Sequence, residues 1–419
     1  MLILALLYAS NVIQAQTSNS SPYSRFGIGR LNPNSNTLIM ALGGSYNALR
    51  NPLSVNPYNP ASYTSFDTTS FVFDGALRAK VMTLKTNTSS YKVNDAGLAY
   101  ITMGFPVAKW WKASLGLVPF STVDYMIGND SVVEKLGKVK FGYTGTGGLN
   151  RAYIGNGFKL SEHLSVGANI SYYFGTINRE RTISFPDSNY YFSSKITNST
   201  QIRNLILDFG IQYYTNLKNG LTLTTGLTFS PAQSMSGTAN NLAVNYYHDY
   251  TTNRDVVGDT VLFVPDLKGD ILLPMNLGAG FSLGKSNRWT AYADFQWQQW
   301  AKYTYYNQSQ SLNNSFRVSI GGQLKPSPLD VGKYWKRINY RAGMRFEKSN
   351  LQLRNTQLNE FGISFGAGLP MKKTKSTLNL AFEVGSYGST NNNLIKENFF
   401  RFTIGASLFE KWFLKRKFD

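Results

Sequence analysis

Eight charged residues sit at alternating positions within otherwise apolar or small-residue stretches: Asp208, Asp294, Arg317, Arg341, Arg345, Glu347, Glu383 and Arg401. On extended segments they would share one face and meet in an enclosed interior, where bare charges need partners. Two chemistries suit such a set. One is a structural ion network that fills an interior and holds another segment in place. The other is a selectivity ring for anionic head groups. Paired carboxylates also suggest hydrolysis, but no base, nucleophile or metal constellation accompanies them. Cysteine is absent, which excludes disulfides and thiolate-ligated metals. The histidines, His163 and His248, are far apart, so a histidine-based triad is poorly supported. No enzyme activity, metal or cofactor is expected.

The elements that must position these charges are strands. Apolar and small polar residues alternate with period two. Leu164, Val166, Ala168, Ile170 and Tyr172 share a face opposite Ser165, Gly167, Asn169 and Ser171. Phe400, Phe402, Ile404, Ala406 and Leu408 stand opposite Arg401, Thr403, Gly405 and Ser407. These segments run about 10 residues, the length of a tilted strand crossing a bilayer. A soluble sandwich uses shorter strands of about 5–6 residues. Its wet face favours Lys, Glu and Thr, whereas here the polar face is Gly, Ser and Asn, as a crowded lumen requires. Charged residues make up 16% of the chain, below the ~25% usual for soluble domains.

The net charge of +19 raises the question of nucleic acid. The Lys and Arg are scattered and no basic helix or RNA-binding motif occurs, so basic loops near an anionic membrane surface are the better explanation. Short turns at Pro106–Trp110, Leu160–His163, Asn216–Gly220, Gly284–Arg288 and Pro370–Ser376 alternate with long polar connections at Thr83–Asp95, Thr176–Thr200 and Ala232–Asp270. This is the pattern of an all-β, antiparallel transmembrane barrel of about 14 strands, with short turns periplasmic and long loops outside. The aromatic pairs Trp110–Trp111, Trp297 with Trp300, and Tyr305–Tyr306 are expected to form interface girdles. Four regions are expected: an export signal over 1–15, a periplasmic arm and hatch over 16–66, the barrel over 67–410, and a basic periplasmic tail over 411–419. The signal lacks a basic residue before its apolar core, and Ile13 stands where a small residue is usual. The expected location is the outer membrane of a Gram-negative bacterium, among its lipids and lipopolysaccharide.

Three Asn-Pro pairs, at Asn51, Asn56 and Asn59, precede the first strand. Proline has no N–H and turns the preceding residue away from helix, so this stretch is poor strand material. An irregular Asn-Pro segment ahead of such a barrel resembles the FadL-type outer-membrane transport proteins. Within Ala41–Tyr63, the residues Asn59, Pro60 and Ala61 match that family's hatch signature. The resemblance implies passive movement of fatty acids or other hydrophobic molecules past a hatch folded back into the lumen. It also implies a lateral gate. Pro119 lies inside a strand, and Gly142, Gly145, Gly147 and Gly148 lie in the next, so the seam is expected between those two neighbours. The same barrel type includes accessory subunits of secretion or outer-membrane assembly machines. For these the arm around Ser21–Leu31 would meet a partner. A general aqueous porin is a third reading.

Overall fold

The structure is a computed structural model. It describes residues 21–32, 36–187, 191–249, 251–252, 254–285, 288–327, 333–372 and 374–411. The expected signal at 1–15 and the tail beyond Lys411 lie outside them.

The strands in chain order are β1 (Arg30–Leu31), β2 (Ser70–Lys85), β3 (Ser90–Pro106), β4 (Trp111–Val133), β5 (Gly137–Lys159), β6 (Leu164–Ser184) and β7 (Ser193–Asn216). There follow β8 (Leu221–Ser230), β9 (Gln233–Asp249), β10 (Arg254–Leu273), β11 (Asn276–Lys285), β12 (Trp289–Gln298), β13 (Thr304–Tyr305) and β14 (Gln308–Ser309). The last are β15 (Ser315–Leu324), β16 (Asn339–Leu353), β17 (Thr356–Pro370), β18 (Thr377–Tyr387) and β19 (Lys396–Lys411). Pro231 separates β8 from β9 and Pro274 separates β10 from β11, so each of these two pairs forms one crossing of the wall. The wall closes where β19 pairs with β2 along their whole lengths, Lys396 opposite Lys85 through Lys411 opposite Ser70. The result is a closed antiparallel barrel of 14 strands. Closure satisfies the backbone strand to strand along most of the wall.

Burial is inverted relative to a soluble protein. Leu205, Leu207, Phe209 and Ile211 on β7 are exposed, as are Phe361, Ile363 and Phe365 on β17. The alternating positions that point inward are polar and buried, such as Ser165, Asn169 and Ser171 on β6 and Thr403 and Ser407 on β19. An apolar exterior over a buried polar interior is the distribution a bilayer selects.

The wall is not of even height. β12 and β15 each have 10 residues, while β4 and β5 have 23 and β7 has 24. At about 3.3 Å per residue, the longer strands project well beyond the hydrocarbon on the long-loop side. The segments Thr83–Asp95, Thr176–Thr200 and Ala232–Asp270, expected as loops, are therefore mostly paired strand. Outside the bilayer both faces of a strand are wet, so the ladder continues after the apolar alternation has stopped. Under the projecting strands lies a buried apolar cluster that includes Val123, Tyr125, Tyr173, Ile177, Ile202 and Met235. The aromatic girdle holds in part. Trp110 is exposed and stacks on Trp111 and Phe158 beside a short turn. Trp300 is instead buried against Tyr303, and Tyr305 donates to Thr200.

Candidate functional site: a filled lumen

Residues 21–32 and 36–66 pack against the inner face of the wall. Their irregular path follows from the Asn-Pro pairs. Asn51 Oδ1 accepts from Leu53 N–H (2.9 Å), Asn56 Oδ1 from Tyr58 N–H (3.2 Å) and Asn59 Oδ1 from Ala61 N–H (3.2 Å). Each pair thus makes the same bend: the proline has no donor to satisfy, and the asparagine captures the next one. The Asn side-chain amides then tie the segment to itself. Asn56 donates to Tyr46 O (2.8 Å) and Asn59 to Asn47 O (2.6 Å). A one-turn helix α1 (Thr37–Ala41) is capped by Asn36, whose side chain accepts from Leu38 and Ile39 and donates to Val55 O. The motif residues Asn59, Pro60 and Ala61 open a 3-10 turn over Pro60–Ser65, with Asn59 and Ala61 fully buried.

The wall grips this segment on many sides. Asp294 Oδ2 accepts from the backbone N–H groups of Tyr46 and Asn47, both at 2.7 Å. Gln212 donates to Asn47 O, Arg151 and Asn169 donate to Pro57 O, and Tyr63 donates to Asn169 Oδ1. Ser45 donates to Ser319 (3.1 Å), and Ser54 bonds Asp74. The small inward face leaves room for the backbone: a β-carbon at Gly226 would overlap the Asn47 carbonyl, and one at Gly343 would overlap Gly43. Nearer the long-loop end, Tyr23 and Ile28 join the apolar cluster.

The inward charges sort into separate groups. Arg345 bonds Glu360 and Glu383, the latter at 2.9 Å. Arg401 meets Glu383 at 2.9 Å and Glu360 at 3.3 Å. Arg30, from the lumenal segment, reaches Glu360 at 2.8 Å, bonds Glu397, and lies over the Tyr387 ring at 4.4 Å. Three guanidiniums and three carboxylates thus form one buried set centred on Glu360. Burial acts to lower the Arg30 pKa, but the carboxylates of Glu397 and Glu360 outweigh it and hold the guanidinium charged well above its ordinary range. Arg317 pairs with Glu347 at 2.6 Å as a separate unit. Among the described residues, Arg341 bonds only the neutral acceptors Gln323 and Asn379. Asp208 accepts from Ser230 and Ser171 and lies 3.9 Å from Arg151.

The expected seam falls between two strands that are paired along their length. β4 and β5 pair from Trp111–Phe158 to Val133–Gly137, with a single register shift at Phe120. Pro119 faces Asn150, and Gly142, Gly145, Gly147 and Gly148 face Gly128, Tyr125, Val123 and Thr122. The glycines make room rather than a gap: a side chain at Gly145 would strike the buried Tyr125 ring. The strand that parts from β4 is its other neighbour. β3 pairs with β4 only over Ile101–Pro106. Beyond Leu117, β4 meets no wall strand on that side among the described residues. Pro119 lacks a donor and the bulge at Phe120 breaks the register, so the ladder ends there. The open edge is partly covered from inside by β1, with Arg30 opposite Thr122 and Leu31 opposite Ser121. Ser21 N–H donates to Asp124 O and Asn32 N–H to Phe120 O, extending that cover.

Among the described residues, three cavities border the segment, of about 430 Å³ at the short-turn mouth, about 160 Å³ beside the break at Pro231 and Pro274, and about 70 Å³ beside the arm. Among the described residues, no group of three or more His, Asp or Glu is placed to hold a metal ion.

Comparison with protein families matches residues 1–419 to the family described as BamG. The chain belongs to the BamG family. No curated protein matches the sequence. In fold, this BamG-family chain is similar to a FadL homologue from Pseudomonas aeruginosa (12% identity, TM-score 0.58, covering 92% of this chain and 100% of that one). It is similar to the toluene transporter TodX of Pseudomonas putida (17%, 0.59, 92% and 100%) and to the toluene transporter TbuX of Ralstonia pickettii (13%, 0.56, 89% and 97%). TodX and TbuX are transporters, not enzymes, and the likeness is one of fold. The FadL resemblance read from Asn59, Pro60 and Ala61 therefore holds for the barrel architecture, while the family is BamG. In this BamG-family barrel the sequence reading missed Arg30, Arg151, Glu360 and Glu397. Glu360 shares the inward parity of Gly362 and Ser364, and Glu397 that of Phe399 and Arg401, so alternation alone could have found both. Arg30 precedes any periodic stretch and carried no such signal.

Proposed function

We propose that this chain is a corked outer-membrane barrel acting as a non-transporting subunit of a multi-protein outer-membrane complex. Its apolar face meets membrane lipid, and its projecting sheet and periplasmic ends are available to neighbours. The observation that carries this reading is the attachment of the lumenal segment. Net contributions are about 0.5–1.5 kcal/mol for a neutral hydrogen bond and about 1.5–3 kcal/mol for a charged one. Withdrawing the segment would break many such bonds at once and strand Asp294 and Glu397 without their donors. A segment anchored in this way suits a permanent cork better than a moving hatch. Membership of the BamG family, rather than of the FadL family whose fold it shares, agrees with a different use of the same barrel.

A second reading is passive transport of hydrophobic molecules. One observation favours it: β3 and β4 part beyond Leu117, on the side where a lateral exit would lie. Purification of a tagged chain from native outer membranes in mild detergent separates the two. The complex reading expects other outer-membrane proteins in fixed stoichiometry. A lone barrel carrying a fatty acid or other hydrophobic molecule in its lumen would overturn it in favour of transport.

A further inference from the structure

Arg50, Arg288 and Arg341 border the largest of the three cavities, of ~430 Å³, and among the described residues no Asp or Glu lies in its lining. Arg341 is 6% exposed and is held at 2.8 Å by Gln323 and at 2.9 Å by Asn379. Arg50 bonds Gln212 and Thr64, each at 3.0 Å, and lies 3.9 Å from the Tyr214 ring centroid. Neutral acceptors orient a guanidinium but do not cancel its charge. Among the described residues, no carboxylate pairs with Arg50, Arg288 or Arg341. Asp74, outside the lining, is occupied in accepting from Ser54, Tyr100 and Ser407. Burial pulls the Arg50 pKa down to about 10, as expected for a desolvated cation without a counterion. Around Glu360 and Glu347, by contrast, the guanidiniums of Arg30, Arg345, Arg401 and Arg317 are matched by glutamates.

We propose that this cavity binds carboxylates of an acidic peptide segment presented at the short-turn mouth by a partner protein. Planar guanidiniums with free donor edges suit carboxylates in pairs. The cavity lies inside the wall, so a headgroup in the surrounding bilayer is separated from it by the strands. Among the described residues the mouth is net basic: Lys109, Lys218, Lys285, Lys336, Arg337 and Lys375 stand on or beside its connections, against Glu162 and Asp67, the latter paired with Lys375. Such a field raises the encounter rate of an acidic segment and is screened by salt.

The inference rests on the complex-subunit reading but is tested apart from it. The full chain is placed in phosphatidylcholine nanodiscs and titrated with a fluorescent hexaglutamate peptide, read by anisotropy. Saturable binding is expected, weakened about tenfold or more by Arg288→Gln on its exposed turn. A further loss is expected on raising salt from about 50 to about 500 mM. Arg50→Gln gives a second variant from the lumenal side. Four results overturn the proposal: no saturable binding, equal binding by a neutral peptide, full displacement by millimolar inorganic phosphate, or occlusion of the peptide by phosphatidylglycerol nanodiscs. If the peptide fails while other outer-membrane proteins still co-purify, this site alone is refuted. If it binds and nothing co-purifies, the complex reading falls instead.

Discussion

Replacing Asp294 by alanine tests how firmly the lumenal segment is held. The carboxylate is 4% exposed, and its Oδ2 accepts two backbone donors, Tyr46 and Asn47, each at 2.7 Å. Hydrogen bonds to a charged group contribute about 1.5–3 kcal/mol each, so losing both costs the docked segment about 3–6 kcal/mol. If these amides exchange by local opening, every 1.4 kcal/mol is a factor of about ten, and exchange should accelerate roughly 10²–10⁴-fold. Hydrogen–deuterium exchange with mass spectrometry reads this directly on a peptide covering residues 42–50. Peptides from β16 and β17 serve as internal controls and should not change. Asp294→Asn keeps a carbonyl acceptor but loses the charge, so its effect should fall between wild type and alanine. The reasoning is refuted if alanine leaves exchange unaltered. It is equally refuted if the wild-type amides already exchange as fast as open chain.

Two further perturbations address the ion set and the fit of the cork. Glu360→Gln removes the carboxylate shared by Arg30, Arg345 and Arg401 and leaves three guanidiniums to two glutamates. Breaking a buried pair in this way costs about 3–5 kcal/mol, measurable by denaturant unfolding in detergent, and a loss below about 1 kcal/mol would contradict the charge balance described. Gly226→Val places a side chain where the Asn47 carbonyl lies, which should displace the turn at Tyr46–Asn47. In planar bilayers the wild-type barrel should stay closed and the valine variant conduct, whereas steady wild-type conductance would instead indicate a porin.

Much of the barrel was legible because the bilayer imposes a simple rule on alternate residues. The faces of β6 and β19 follow directly from Leu164–Tyr172 and Phe400–Leu408. What escaped depends on pairing rather than on polarity. The extension of β6, β7, β9 and β10 beyond the membrane carries no apolar period, because both faces there meet water. The parting of β3 from β4 is a property of two strands, and Pro119 marks only one of them. Its lost donor pointed to a defect, but the glycines of β5 drew attention to the wrong neighbour. Those glycines accommodate Tyr125 and the bend of the wall. Within the lumen, parity identified eight inward charges but not their partners, and Arg151, Glu360 and Glu397 on the same faces went unnamed. Arg30 completes the set around Glu360 from a segment with no periodicity. The three Asn-Pro pairs were legible as bends, and their shared geometry, one captured N–H after each proline, became visible only with the fold.

The central claim is that the lumenal segment is a permanent cork. The chain has no cysteine, so a single engineered pair can lock it cleanly. Ser45 Oγ and Ser319 Oγ lie 3.1 Å apart, which places Ser45→Cys and Ser319→Cys within bridging reach. In cells carrying only this variant, the measurement compares oxidised with reduced barrels for recovery of co-purifying outer-membrane proteins and for uptake of labelled fatty acid and toluene. The account predicts that locking changes neither. A fall in uptake on oxidation, restored by reductant, would show that the segment must move and would contradict it.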